Sequence, residues 1–166
     1  MNAVYLLLGS NEGDRRRWLQ LARTAMAEKA GRIVHASAIY ETAAWGVTDQ
    51  PDFLNQAICI YTALDPQSLL QAVQETEMTL GRQRTVKWGQ RTLDIDILFF
   101  GDRVIDLPAL KVPHPYLAER RFALQPLAEI APELIHPVLQ LSVAQLLAAC
   151  PDPLAARKTE AHKDIA

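Results

Sequence analysis

The segment from Leu93 to Leu98, which reads Leu-Asp-Ile-Asp-Ile-Leu, constrains the fold more than any other part of the sequence. Successive side chains of a β-strand point to opposite faces, so the apolar residues Leu93, Ile95 and Ile97 share one face. Asp94 and Asp96 then share the other face. The pattern therefore predicts a strand over residues 92–100 with an acidic pair on one side.

The acidic pair points to a bound cation. In a strand the Cα atoms of Asp94 and Asp96 are roughly 6–7 Å apart, and two ionised carboxylates at that separation repel each other unless a cation lies between them. Aspartate is also disfavoured in strands. Oxygen ligands on a rigid strand suit Mg²⁺, which commonly binds one or two carboxylates together with substrate phosphates. The alternative is a solvated strand face on which Lys or Arg pairs with the two aspartates.

The rest of the chain supplies further strands and two helices. Strands are predicted over residues 3–8, 33–40 and 53–64, and helices over residues 15–30 and 66–80. Helix ends are marked by Asp14 and Asp65 as N-caps, Pro66 in the first turn, and Gly31 and Gly81 as stops. The order strand, helix, strand, strand, helix, strand is the ferredoxin-like βαββαβ arrangement. We therefore expect an α+β fold with an antiparallel sheet, helices on one face and a C-terminal extension.

The connections and the C-terminal part are less regular. Residues 41–52 are expected to form a loop, and Gly101-Asp102 a two-residue turn into Val104-Ile105. Short helices are predicted near residues 116–129 and 142–149. The polar tail from residue 154 is expected to be frayed. The sequence shows no domain boundary, so residues 1–166 are expected to form one domain.

Composition excludes several classes of protein. The 166 residues carry a net charge of −2, which does not fit a nucleic-acid coat or a polybasic membrane binder, and 49% apolar residues do not fit a disordered chain. Only Cys59 and Cys150 are present, so a disulfide scaffold or zinc finger is not expected. The apolar run at residues 3–8 lacks the features of a signal peptide. We expect a cytoplasmic protein.

A basic loop precedes the acidic strand. Its cations are Arg82, Arg84, Lys87 and Arg91. Arginines beside a metal-binding carboxylate pair are typical of polyphosphate binding, because arginine makes bidentate contacts to phosphate oxygens. Two further arginines, at positions 120 and 121, could join this cluster. The alternative is a solvated loop whose cations balance the two aspartates.

An aromatic and amide cluster could hold a flat heterocycle. It contains Trp45, Gln50, Phe53 and Asn55, and the period of two places Phe53 and Asn55 on the same strand face. An aromatic ring offers a stacking surface, and an amide can read ring donors and acceptors. The alternative is a core phenylalanine and an asparagine that ends a turn.

Two isolated residues extend these interpretations. His114 lies between Pro113 and Pro115, which hold it in a stiff extended segment where it could contact a phosphate. Glu77 lies on the apolar stripe of its predicted helix, where it could contact a polar ligand. A paired charge at a helix end is the alternative for Glu77.

Together these motifs resemble the 6-hydroxymethyl-7,8-dihydropterin pyrophosphokinase family of folate synthesis. The matching segments are 9–11, 13–14, 40–42, 50–55, 77, 81–84, 88–96 and 113–115. The block Arg91-Thr92-Leu93-Asp94-Ile95-Asp96 with the upstream Gly81-Arg82-Gln83-Arg84 is highly specific. The resemblance covers about residues 5–137.

The resemblance implies ATP as co-substrate, Mg²⁺ as cofactor, and transfer of the β,γ-pyrophosphoryl group of ATP to the pterin hydroxymethyl oxygen with release of AMP. By position, it implies that Asp94 and Asp96 hold two Mg²⁺ ions, and that Arg82 and Arg91 steer the transferring group. The residues that it assigns to the ATP site are Gln74, Glu77, Arg84, His114 and Arg120. Those that it assigns to the pterin site are Thr42, Trp45, Phe53, Asn55, Asp94 and Phe122. In that site Asn55 would read the pterin edge, while Phe53 and Phe122 would stack on its faces. Some members carry a basic residue at position 109, which is Ala109 here, and Lys111 could replace it.

Two other functions fit part of the pattern. A Gly-Ser…Asp-x-Asp nucleotidyltransferase would have its Gly-Ser pair close before the acidic pair, whereas most of the domain separates Ser10 from Asp94. A ferredoxin-like module that binds a small ligand without catalysis would not need Mg²⁺. For the pyrophosphokinase we expect a monomer whose partners are ATP and the pterin, without nucleic acid or membrane.

Overall fold

A computed structural model describes residues 1–43, 51–81 and 92–160 of the chain. The strands are β1 (Asn2–Ser10), β2 (Gly31–Ala36), β3 (Tyr40–Thr42), β4 (Phe53–Thr62), β5 (Asp94–Phe100), β6 (Ile105–Leu107), β7 (Leu110–Val112) and β8 (Arg157–Lys158). The α-helices are α1 (Arg15–Lys29), α2 (Pro66–Thr79), α3 (Arg121–Ile130) and α4 (Val143–Ala148), and a short 3₁₀ helix covers Leu117–Glu119.

The main sheet is antiparallel and has the predicted ferredoxin-like topology. Its strand order is β5-β1-β4-β3-β8, and β2 also pairs with β4. β1 lies at the centre between β4 and β5, where all nine of its residues pair with β4 from Asn2↔Thr62 to Ser10↔Leu54. The α+β class and the βαββαβ core expected from the sequence are therefore confirmed.

The predicted strand over residues 33–40 is two strands in the structure. Ser37 separates β2 from β3: its backbone N–H donates to the Ala57 carbonyl (2.9 Å), and its Oγ accepts from the Ala57 N–H (3.0 Å). Its side chain thus takes the place of a backbone carbonyl in the ladder. β3 then continues to Thr42, so Glu41 and Thr42 are strand residues where a loop was expected.

Two hydrophobic layers cover the two faces of the sheet. On one face Leu6 and Leu8 of β1 pack with residues of α1 and α2, which are the core helices of the ferredoxin-like arrangement. On the other face Leu7 packs with Leu124 of α3 and residues of α4, which form the C-terminal extension. A fully buried leucine contributes about 1.5–3 kcal/mol relative to an exposed one, so both layers stabilise the sheet.

The helix ends follow the sequence signals. The Asp14 carboxylate accepts from the Arg17 N–H (3.2 Å) at the start of α1, and Asp65 accepts from the Ser68 N–H (2.8 Å) at the start of α2. After α2, Gly81 has φ +103°, which favours glycine. Gly31 follows α1 for another reason: it lies in β2, where a Cβ would approach the Tyr61 carbonyl oxygen to 2.0 Å.

The structure differs from the expectations for two connections. Gly101-Asp102 forms a turn, in which the Arg103 N–H donates to the Phe100 carbonyl (3.1 Å), but β6 then pairs with β7 rather than folding back on β5. A frayed tail was expected from residue 154, whereas Arg157 and Lys158 pair with Glu41 and Tyr40. The reason is that the outer edge of β3 offers backbone groups that a further strand can pair with.

The helices α3 and α4 correspond to the two short helices predicted in the C-terminal part, and the Ser142 N-cap of α4 forms a capping box with Gln145. Cys59 and Cys150 are buried free thiols, as expected. Among residues 1–43, 51–81 and 92–160, none of the helices is both long and apolar enough to traverse a bilayer.

Candidate active site

A row of three residues crosses the centre of the sheet on the face that carries α3. The pairing registers place Gly9 of β1 opposite Asn55 of β4 on one side and opposite Asp94 of β5 on the other. A Cβ on Gly9 would lie 2.7 Å from Asn55 Oδ1, so the asparagine side chain lies directly beside the glycine position. The absence of a side chain at residue 9 therefore leaves space for the Asn55 amide between β4 and β5.

Above this row lies a cavity of about 600 Å³, here named the larger cavity, which is within the size range of small-molecule sites. The predicted site residues that line it are Thr42, Phe53, Asn55, Asp94, Asp96, Arg120 and Phe122. Phe53 and Asn55 share one face of β4, and Asp94 and Asp96 share one face of β5, as predicted. The structure shows further that both pairs line the same cavity. The structure thus brings the acidic pair next to the aromatic and amide cluster.

A buried hydroxyl of this cavity has no hydrogen-bond partner among the described residues. Thr42 is 3% exposed, and its Oγ1 makes no hydrogen bond with any residue in the described part of the chain. A buried polar atom without a partner costs about 1–3 kcal/mol. Because Thr42 lines the larger cavity, a polar ligand there could satisfy this hydroxyl.

Arg120 lies among the rings of the larger cavity. Its guanidinium carbon is 5.3 Å from the centroid of the Tyr116 ring and 5.6 Å from that of the Phe122 ring. Such cation–π contacts hold the guanidinium over both rings. Arg120 was predicted for the ATP site, and the structure places it in the lining of the larger cavity. The Arg121 guanidinium donates to the carbonyls of Cys150 and Asp152 (both 3.1 Å).

A smaller cavity of about 210 Å³ adjoins the acidic strand from the α2 side. Asp96 lines both cavities, and Leu70, Ala109, Lys111 and His114 are among the other residues of the smaller one. Lys111 is therefore beside the position where Ala109 lacks the basic side chain of some family members, and it also forms an ion pair with Asp106. Asp96 is therefore a lining residue that the two cavities share.

His114 is held as a neutral imidazole in the smaller cavity. Desolvation by burial, and then the positive charge of Arg120, lower the pKa of His114 to about 4. Its Nδ1 accepts from the Tyr116 N–H (3.2 Å), which places the single ring proton on Nε2. The backbone N–H of His114 donates to the Leu98 carbonyl (3.1 Å) and fixes the segment against β5. At neutral pH this residue can donate one hydrogen bond but carries no charge.

Glu77 and Gln74 lie on α2. Neither is among the described residues that line the larger or the smaller cavity. Glu77 is 7% exposed, and its Oε2 accepts from the Ile95 N–H (2.9 Å). This bond fastens α2 to β5 between the two aspartates, so the contact seen for Glu77 positions the acidic strand. Gln74 is exposed next to Val73, which does line the smaller cavity.

Four predicted site residues lie outside the described residues: Trp45, Arg82, Arg84 and Arg91.

The sequence patterns did not reveal every residue of the site. Residues 151–154 line the larger cavity, although nothing in their composition indicates contact with β4 or β5. Gly9 is a further omission, and its signal is present in the sequence, since it begins the Gly-Ser-Asn motif.

The side chains of the site limit which metal ion it can hold. Within residues 1–43, 51–81 and 92–160, no group of three or more His, Cys, Asp or Glu side chains could hold an ion. The pair Asp94 and Asp96 nevertheless lines a cavity with carboxylate oxygens alone, which fits Mg²⁺ when substrate phosphates and water complete the coordination. It does not fit zinc, which prefers nitrogen and sulfur ligands.

Comparisons with known proteins agree with this geometry. The family model described as 7,8-dihydro-6-hydroxymethylpterin-pyrophosphokinase (HPPK) matches residues 5–132. The 2-amino-4-hydroxy-6-hydroxymethyldihydropteridine pyrophosphokinase of Pseudomonas aeruginosa is 44% identical over 149 residues, which are 89% of this chain and 91% of that protein. The protein of the same name from Aquifex aeolicus is 45% identical over 138 residues, or 83% and 86% of the two chains.

Solved structures show the same fold. The crystal structure of Plasmodium falciparum HPPK-DHPS wild type with pteroate superposes with a TM-score of 0.75 at 18% identity, covering 89% of this chain. The match spans 44% of that longer chain. The resemblance deduced from the sequence motifs is confirmed: the chain belongs to the 7,8-dihydro-6-hydroxymethylpterin-pyrophosphokinase family and is a pyrophosphokinase.

Proposed function

We propose that this pyrophosphokinase transfers the β,γ-pyrophosphoryl group of ATP to the hydroxymethyl oxygen of 6-hydroxymethyl-7,8-dihydropterin in folate biosynthesis. The observation that carries the proposal is the position of Asp96, which lines both the larger and the smaller cavity. A transferring group must lie between its donor and its acceptor. Two cavities that share a lining aspartate are suited to such an arrangement.

The larger cavity is suited to the pterin. Phe53 and Phe122 provide aromatic surface, Asn55 provides both a donor and an acceptor, and the Thr42 hydroxyl is available to the ligand. A pterin presents alternating ring nitrogens, an amino group and a carbonyl along one edge. The cavity would bind the pterin selectively because it buries the flat ring and offers hydrogen-bond partners to the polar groups along the ring edge.

The smaller cavity is suited to the nucleotide. It offers apolar contacts from Leu70 and one neutral donor from His114, whose Nε2 carries the ring proton. A neutral donor can read a base or ribose oxygen without attracting a free phosphate. Lys111 adds a positive charge at the rim of this cavity. By the family resemblance, Gln74, Glu77, Arg84 and Arg120 complete the ATP site.

Asp94 and Asp96 would hold two Mg²⁺ ions between the cavities. Ions held there would supply positive charge to the phosphate oxygens and would lower the effective pKa of the hydroxymethyl group. The Glu77 bond to the Ile95 N–H keeps the two carboxylates at fixed positions on β5. Arg82 and Arg91 are proposed, from the family motif alone, to steer the transferring group.

The reaction is an in-line displacement that depends on positioning. The hydroxymethyl oxygen attacks the β-phosphorus and loses its proton, while the bond from the β-phosphorus to the oxygen shared with the α-phosphate breaks and AMP leaves. Holding the two reactants in this geometry replaces an encounter in solution. Asn55 fixes the acceptor from the β4 side of the row, and Asp94 lies across Gly9 on the β5 side.

The decisive experiment is a product assay with the purified chain, ATP and the hydroxymethyl pterin, with and without Mg²⁺. We expect AMP and the pterin diphosphate, in a reaction that requires both the pterin and the metal. Release of pyrophosphate would indicate nucleotidyl transfer, and pterin binding without AMP would indicate a module without catalysis.

Two further experiments test the other expectations. Gel filtration under the same conditions tests the expected monomer, and turnover by residues 1–160 tests whether one domain is sufficient.

A further inference from the structure

We propose that the C-terminal strap, residues 150–160, forms a wall of the acceptor site and determines the affinity of that site for the pterin. The inference rests on the proposed function. The strap lies wholly beyond residue 132, where the match to the family model ends. It therefore concerns a property of this chain's own C-terminal segment.

The first half of the strap is a wall of the larger cavity. Residues 151–154 line it together with the strand residues Gly9 and Asp94 and with Phe122. Leu154 is half-buried and Pro153 has restricted backbone freedom, so this wall is apolar and stiff. A flat ring bound over Asn55 would have one side against this wall.

Asp152 and Arg121 anchor that wall to the start of α3. The Asp152 Oδ2 accepts from the Arg121 N–H (3.2 Å), and its Oδ1 accepts from the Leu154 N–H (3.0 Å). The Arg121 guanidinium donates back to the carbonyls of Asp152 and Cys150 (both 3.1 Å). Because Arg121 lies between Arg120 and Phe122, the same bonds hold the strap and the aromatic wall of the cavity together.

The second half of the strap is fastened to the opposite wall. β8 pairs with β3, and the Thr159 N–H donates to the Ile39 carbonyl (2.8 Å). The Arg157 guanidinium lies 3.7 Å from both Glu41 and Asp52, which immediately precede Thr42 and Phe53. The strap thus spans the larger cavity from α3 to the β3–β4 edge and fixes the separation between Phe122 and Phe53.

The test compares two strap variants, Leu154→Ala and Asp152→Ala, with the control variant Ala155→Ser. Ala155 is an exposed residue of the same strap and is not among the described residues that line the larger cavity. For both strap variants we expect the KM for the pterin to rise about 5–10-fold, while the KM for ATP changes less than 2-fold and kcat is nearly kept. Pterin affinity measured by ligand fluorescence without ATP should fall by the same factor. Leu154→Met should restore most of the affinity.

Thermal unfolding separates the strap's role from general damage. Equal losses for ATP and pterin, or an unchanged pterin KM in a folded Leu154→Ala variant, would overturn the proposal. Failure of the proposed function itself would look different, because the unaltered chain would then form no AMP from the pterin. Should Asp152→Ala not fold, Leu154→Ala alone decides the question, since it changes only the cavity wall.

Discussion

Replacement of Gly9 by alanine should weaken pterin binding through the side chain of Asn55. The new Cβ would be 2.7 Å from Asn55 Oδ1, whereas ordinary van der Waals contact begins at 3.4 Å, so the amide must move by about 0.7 Å or more. The backbone can accept alanine, because Gly9 is not among the residues with positive φ. The other neighbours of this Cβ, including the Leu54 carbonyl oxygen at 3.8 Å, do not clash.

The expected loss follows from the hydrogen bonds that the displaced amide would make. Asn55 is 4% exposed, so its amide cannot swing freely into solvent. Loss of one or two hydrogen bonds at about 0.5–1.5 kcal/mol each, or about 0.5–3 kcal/mol in all, corresponds to an affinity loss of roughly 2–150-fold. The free energy of unfolding should change by only about 1 kcal/mol, because the clash involves a side-chain end rather than the backbone.

A double-mutant cycle isolates this mechanism. In an Asn55→Ala background the clash no longer exists, so Gly9→Ala should change pterin affinity less than 2-fold, measured by equilibrium titration of pterin fluorescence. The two substitutions should therefore be strongly non-additive. Fully additive effects, or unchanged pterin affinity in Gly9→Ala alone, would refute the argument that residue 9 makes room for the amide.

Three further predictions concern the acidic strand and its supports. Asp96→Ala should lower kcat about 10³-fold while fluorescence titration shows nearly unchanged pterin affinity, because Phe53 and Asn55 remain; near-normal rates would remove Asp96 from the metal site. Glu77→Ala leaves the Ile95 N–H without its carboxylate acceptor and should destabilise the fold by about 1–3 kcal/mol in urea unfolding, with no loss expected if that bond is weak. Since the pKa of His114 is about 4 when folded and about 6.5 when unfolded, the unfolded chain binds more protons between these values, so stability should fall as pH drops from 6.5 to 4. The imidazole is only partly buried, which reduces the full effect of about 3 kcal/mol to about 1–2 kcal/mol, and His114→Gln should flatten this part of the stability profile.

Local sequence signals predicted the elements that position the site. The alternation in β5 correctly placed Asp94 and Asp96 on one face of that strand, and the period of two in β4 correctly placed Phe53 and Asn55 on one face of the other. The N-caps at residues 14 and 65 fixed the starts of α1 and α2. These features succeed because each depends on neighbours within a few residues, which the sequence displays directly.

Features that depend on distant partners could not be predicted in the same way. The break between β2 and β3 requires the Ser37 hydroxyl to bond Ala57, twenty positions along the chain. The two residues of β8 carry no recognisable strand pattern, and they pair only because the edge of β3 is available. For the same reason, residues 151–154 could not be assigned to the larger cavity from their composition.

The residues of the site lie on elements that are held in place by different numbers of hydrogen bonds. Asn55, Gly9 and Asp94 lie on the three neighbouring strands β4, β1 and β5, which pair with one another along most of their length. Strands paired in this way resist local opening. Reactive groups placed there keep their positions to the accuracy that an in-line displacement needs. The strap and β3, in contrast, are held by a few bonds at the sheet edge, so substitutions there can alter the cavity walls without moving Asp94 or Asp96. Chemistry and acceptor selection are thus built on parts of the fold with different stability, and variants at the strap should change KM for the pterin while those on β5 change kcat.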